Sequence, residues 1–167
     1  MGDDLARFID RAKELGALEA GLIRADTIKT GAWVRMKCHF GCDGYNKSLC
    51  CPPHTPTPGE TQQVIDCYGT ALLVRCKRDA RPTKMVVKLE TEIFLAGYYK
   101  ALAFGAGPCM LCKECNIQQC EHPERTRPSM EACGIDVYAT ARANGFPIEV
   151  VKDKTGEQNY YGLVLIE

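Results

Sequence analysis

"ALLVRCK", residues 71–77, is the stretch on which the fold turns. Read as a β-strand, it places Leu72, Val74 and Cys76 on one face. "LEAGLIRADTI" (18–28) reads as a second strand. "PIEVVK" (147–152) and "YYGLVLIE" (160–167) read as two more, joined across Asp153 to Asn159 as a hairpin. Helical rhythm fills much of the remainder. Leu5, Phe8, Ile9, Ala12 and Leu15 keep an i, i+3, i+4, i+7 spacing after Asp3 or Asp4 as N-cap, and Gly16 supplies the stop. Thr57-Pro58-Gly59-Glu60 fits a capping box opening a short helix through Val64 and Cys67. A long helix is expected from about Thr83 to Phe104. Another is expected over Val137 to Ala143, capped by Asp136 and closed by Asn144-Gly145. The expected fold is therefore α+β: a single mixed β-sheet flanked by helices, in one domain spanning residues 1–167. Two cysteine-rich loops, about 38–56 and 107–128, interrupt it.

The bulk composition fits that picture. A chain of 167 residues, 46% hydrophobic and 25% charged, can bury a sizeable core and is not disordered. Lysine plus arginine equals aspartate plus glutamate at 21 each, so no charge field points to nucleic acid or an anionic membrane. "MGDDLARFIDRAKELG" (1–16) carries charges throughout and has no apolar core of a signal peptide. Its Gly2 is not followed by the Ser or Thr that myristoylation wants at position 6, which is Ala6. The expected location is the cytoplasm. There, disulfides are rare, so eleven cysteines read first as metal or catalytic sites.

The sharper cysteine signal is "GPCMLCKECNIQQCEHP", residues 107–123. Cys109, Cys112, Cys115 and Cys120 follow C-x2-C-x2-C-x4-C. A loop of this kind offers successive thiolates to successive corners of a [4Fe–4S] cube, as in ferredoxins, although their last gap is shorter and their proline directly follows the last cysteine. Tetrahedral zinc is usually held by two separated pairs, and three thiols at x2 spacing crowd one small ion.

The second group is Cys38-x3-Cys42-x7-Cys50-Cys51-Pro52-Pro53. Its start is close to the radical-SAM triplet, but Tyr45 stands in the third place and the chain is short for that barrel. Side chains of adjacent residues diverge along an extended backbone, so one metal site does not take both Cys50 and Cys51. Pro52 and Pro53 stiffen the loop behind Cys51, which makes Cys51 the preferred ligand and Cys50 a possible extra. Zinc is a rival at this first loop.

Cys67 and Cys76 read as small core hydrophobes, and Cys133 as packing before ligand. His39, His54 and His122 lie near the ligand cysteines, where hydrogen bonding inside an irregular loop is the plainer role. Arg35, Lys37, Lys47, Arg125 and Arg127 flank the loops. They either tune a negatively charged cluster or are solvated.

Together, "KCHFGCDGY" (37–45), "CCPPHTPTP" (50–58), "GPCMLCKEC" (107–115), "CEHPERTRPSMEACGIDV" (120–137) and the closing "YYGLVLIE" resemble DUF2284, a family of small metal-binding proteins of bacteria and archaea. The resemblance covers nearly the whole chain. It implies a metal-binding protein of the iron–sulfur kind, mostly of anaerobes, and no particular reaction. Its matched positions are Cys38, Cys42, Cys51, Cys109, Cys112, Cys115 and Cys120, with Cys50 and Cys133 outside the set.

Three functions follow as expectations. The first is a carrier with two [4Fe–4S] clusters that exchanges electrons with a redox partner protein. The second is an enzyme whose first cluster has three protein thiolates and an open iron for a small substrate. The third is a zinc-stabilised interaction module. No flavin or phosphate-loop fingerprint supports an organic cofactor, since Gly105-Ala106-Gly107 lacks a third glycine and does not open a helix.

Overall fold

The computed structural model describes residues 2–153, 156 and 158–167. Its one sheet contains β1 (Glu19–Arg24), β2 (Thr70–Cys76), β3 (Leu102–Phe104) and β4 (Tyr160–Leu165), in the order β1-β2-β4-β3. All three strand pairings are antiparallel, and only an isolated Gly105–Ser129 bridge is parallel. The α+β class holds, with a sheet that is antiparallel rather than mixed. Among the described residues five α-helices accompany it: α1 (Gly2–Glu14), α2 (Ala32–Gly41), α3 (Pro58–Ile65), α4 (Pro82–Leu95) and α5 (Val137–Ala143). None is long and apolar enough to cross a membrane.

The central strands β2 and β4 are apolar in unbroken runs because both faces of the sheet are covered. Leu72, Val74, Cys76 and Val164 point to one side, where Leu5 and Phe8 of α1 and Val86 and Leu89 of α4 meet them. Leu73, Leu163 and Leu165 point to the other, against Ile65 of α3, Ala141 of α5 and the buried Met130 and Ile135. Gly162 sets the closeness of α4: a Cβ there would lie 2.6 Å from Val86 Cγ1 and 3.3 Å from Val74 Cγ2.

Several local expectations hold. Thr57 and Glu60 form the reciprocal capping box of α3, and Asp136 accepts from Ala139 N at 2.9 Å to cap α5. Others are corrected. The first helix starts at Gly2, so Asp3 and Asp4 lie within it rather than before it. The strand read over 18–28 ends at Arg24, where a 3-10 turn (Ala25–Thr27) begins and Thr27 Oγ1 donates to Arg24 O. The helix expected to reach Phe104 stops at Leu95, because Gly97 turns the chain at φ 105°. Its supposed last turn is instead β3, paired with β4 from Leu102 opposite Leu165.

Residues 147–152 form no strand. On the side of β4 away from β2, Leu163 to Leu165 pair with β3, a strand whose sequence reads as the end of a helix. Ile148 packs into the core beneath the sheet instead. The turn of that expected hairpin includes residues 154, 155 and 157, which lie outside the described residues. Finally, the irregular loop read from residue 38 begins later, since Cys38 is still in the last turn of α2.

Gly162→Val should lower stability by about 1–3 kcal/mol through overpacking between β4 and α4. Urea unfolding reads this directly; an unchanged midpoint would show that α4 yields at no cost.

Candidate metal centre

Two segments without helix or strand carry the cysteines, 42–57 and 106–128. One buried segment, 128–136, braces them. Thr55, at the end of the first, donates from Oγ1 to Ala132 O at 2.5 Å, and Thr61 of α3 donates to Cys133 O at 2.7 Å. Gly31 N, just ahead of α2, donates to Gly134 O at 2.9 Å. Gly134 has φ 79°, and a Cβ on it would lie 2.4 Å from Pro58 Cγ, so the brace meets α3 with no room for a side chain. At the other end, Gly105 N donates to Pro128 O and Met130 N to Gly105 O, which ties the brace to β3. Arg127 closes the second segment. Its guanidinium pairs with the buried Glu90 of α4 at 2.6 Å and also donates to Pro123 O and Thr126 O.

The brace brings the expected ligands into two adjoining groups. In the first, Cys42 and Cys51 converge on Gly44, whose missing Cβ would lie 3.5 and 3.7 Å from their Sγ atoms. Cys38 stands beside them at the end of α2. In the second, Cys109, Cys112, Cys115 and Cys120 line one small enclosed cavity of about 30 Å³. Cys50 lines that cavity too. Its Sγ lies 3.0 Å from Thr126 Oγ1, which in turn donates to Cys109 Sγ at 3.3 Å. Neighbours in the chain, Cys50 and Cys51 therefore face different groups, as the divergence of adjacent side chains requires.

Crowding shows in the electrostatics. Burial pushes the Cys51 thiol up, and Cys42, Cys38, Cys109 and Cys115 push it further. Cys51 thus senses both groups and marks the seam between them. Cys38 is raised by burial, then by Cys42 and Glu131, against the pull of Arg35. Cys50 rises to about 11, mainly by burial, with the Thr126 hydrogen bond opposing. Partial burial raises Cys112, reinforced by Glu121 and the other three thiols of its loop. A cation relieves all of these repulsions at once.

A cleft of about 690 Å³ opens beside the first group. Cys38 and Cys42 form part of its wall, together with Trp33, Lys37, Glu131 and Tyr138. Glu131 is an exposed residue of the cleft wall, and desolvation by the protein beside it raises its carboxyl above the usual range.

A family model described as a predicted metal-binding protein, DUF2284, matches residues 21–166. The chain belongs to that family. No curated protein and no solved structure matches it. The match embraces both thiol groups, the brace and the cleft wall.

The remaining residues divide. Cys76 and Cys133 are fully buried, as expected of packed thiols, but Cys67 is exposed beyond the end of α3. His39 stacks between Phe40 and Tyr45, and His54 bonds Asn46 Oδ1 at 2.9 Å. His122 lies with Cys112 and Glu121, their ligand atoms within 4.8 Å of one another. Arg35 is neither solvated nor a tuning charge alone: it donates to Thr55 O and Pro56 O, fastening the end of the first loop. Thr126, Trp33 and Glu131 escape sequence reading. Only Val34 and Cys38, four apart, hinted that α2 runs into the first group.

Because burial and neighbouring thiols raise Cys38, Cys50, Cys51 and Cys112, protons compete with metal at neutral pH. Anaerobic cobalt(II) binding to the metal-free protein should strengthen on going from about pH 6 to about pH 8, by about tenfold per pH unit for each proton displaced. A flat profile would mean that the thiols are not the ligands.

Proposed function

We propose that this DUF2284 protein is a cytoplasmic iron–sulfur protein, with two [4Fe–4S] clusters held in the two thiol groups, and that it exchanges electrons with a partner protein. The observation that carries the reading is the partition of thiols. Cys38, Cys42 and Cys51 form one group, and Cys109, Cys112, Cys115 and Cys120 surround one cavity. Soft sulfur donors in such number suit iron–sulfur clusters better than a single hard or borderline ion. When bound, such clusters supply one-electron redox chemistry.

The chain's own residues support that role in three ways. The peptide bond between Cys50 and Cys51 joins the two groups, so their centres would lie within easy electron-transfer reach. Gly44 N donates to Cys42 Sγ and His122 N to Cys120 Sγ, both at 3.4 Å, and Thr126 Oγ1 donates to Cys109 Sγ. Donors to sulfur stabilise the more negative, reduced state and raise the potential. Phe40, in the last turn of α2, and Met110, in the second cysteine segment, are 75% and 83% exposed, apolar surface of the kind a docking partner covers.

Zinc in the second group is the competing reading. The space between its thiols is narrow, and Cys112, Glu121 and His122 already approach to within 4.8 Å, a mixed donor set for one ion. Against it, no helix or strand holds residues 106–128 at a fixed width, so the loop can spread around a larger group.

Anaerobic purification followed by iron, sulfide and zinc analysis decides. About eight irons with matching sulfide per chain are expected, and Cys112→Ser should lose about half of them. Zinc at about one per chain without iron, or a Cys112→Ser protein with full iron and full visible absorption, would overturn the reading.

A further inference from the structure

The first thiol group lacks a fourth protein ligand, and each candidate for that place is engaged elsewhere. Cys50 is turned into the cavity of the second group against Thr126, and Cys120 lines the same cavity. Of the nearby imidazoles, His39 is stacked between two rings and His54 is bonded to Asn46. Cys109 and Cys115 stand across the seam from Cys51, not on the side of Cys38 and Cys42 that faces the cleft. That side borders open space of about 690 Å³, within the range of small-molecule pockets.

The walls of that space have a definite chemistry. One face of α2 presents Trp33, Val34, Lys37 and Cys38, residues a helical turn apart, so an aromatic ring and an ammonium flank a thiol. Tyr138 faces them from α5. Of the other charges, Asp136 caps α5, Arg142 pairs with Glu149 at 3.7 Å, and the Glu131 carboxyl is raised by desolvation, which favours its neutral form. Lys37 lies 5.3 Å from the centroid of the Trp33 ring and makes no ion pair among the described residues.

We propose that the cleft binds a small aromatic carboxylate, its anionic end on Lys37 and within reach of a metal position that Cys38, Cys42 and Cys51 leave open. The ring of such a ligand lies between Trp33 and Tyr138. A carboxylate on an exposed ammonium and close to a cationic metal position gains from both. An amine in the same place meets Lys37 as a like charge. The open metal position rests on the iron–sulfur reading above, whereas the carboxylate site on Lys37 does not.

Trp33 is the single tryptophan of the chain, so its fluorescence reports on the cleft whatever metal is bound. Benzoate added to the anaerobically purified protein should change that fluorescence saturably. Benzamide, the uncharged isostere, should bind at least about tenfold more weakly, and Lys37→Met should weaken benzoate by about the same factor. Lys37 is exposed, so the substitution does not threaten folding. No saturable change, or equal binding of the two probes, would overturn the carboxylate site.

The open position is read separately by EPR of the reduced protein. Cyanide, and then benzoate, should shift the signal of one cluster and leave the other unchanged. Iron present with no shift from either probe would overturn the open position while leaving the iron–sulfur reading intact. Absence of iron would overturn that reading and the open position together, and the Trp33 titration would still decide the carboxylate site.

Discussion

The arrangement depends on one buried segment, Pro128 to Asp136, and on who claims its carbonyls. Thr55 takes that of Ala132, Thr61 that of Cys133 and the amide of Gly31 that of Gly134. These bonds come from the first cysteine loop, from α3 and from the residue ahead of α2. The segment's own start is fixed to β3 through Gly105. An unmade hydrogen bond at a buried carbonyl costs far more than a made one contributes, so each partner is held in place. Two loops far apart in sequence thus become two walls of one assembly.

The cysteine groups themselves are the opposite of a self-sufficient core. Apart from Cys38 at the end of α2, they lie in stretches without helix or strand, and burial first, then neighbouring thiols, raise Cys51 and Cys112. Where metal binding deprotonates and orders such thiols, binding free energy becomes folding free energy. The rigid frame limits what the metal has to order. Arg127 on Glu90 anchors the end of the second loop to α4, and Arg35 anchors the end of the first through Thr55 O and Pro56 O.

Asymmetry between the two groups follows from the sheet. Helix α2, which delivers Cys38, lies against the brace and leaves its Trp33 and Lys37 face over open space. The second group instead lines its own small cavity, with Cys50 of the first loop set against Thr126 of the second. One group is therefore enclosed and the other borders a cleft. That division suits electron supply on one side and small-molecule contact on the other.

Local chemistry was legible wherever it is settled within a few residues. The capping box at Thr57 and Glu60, the Asp136 cap, the face of Leu72, Val74 and Cys76, and the divergence of Cys50 from Cys51 all depend on spacing along the chain alone. The seven expected ligands were likewise marked by spacing, and the structure gathers them into two groups. What spacing could not decide was competition between distant segments. The "PIEVVK" stretch has a strand's composition but no strand, and the strand that joins that edge of β4, at Leu163 to Leu165, is β3, read as the end of a helix. The cleft and the direction in which Cys50 faces depend on the same long-range contacts. Period and turn chemistry act between neighbours, so the sequence determined the elements and the thiols. Edges, faces and cavities exist only after the strands have paired, so tertiary structure alone decided which thiols meet and which of them face open space.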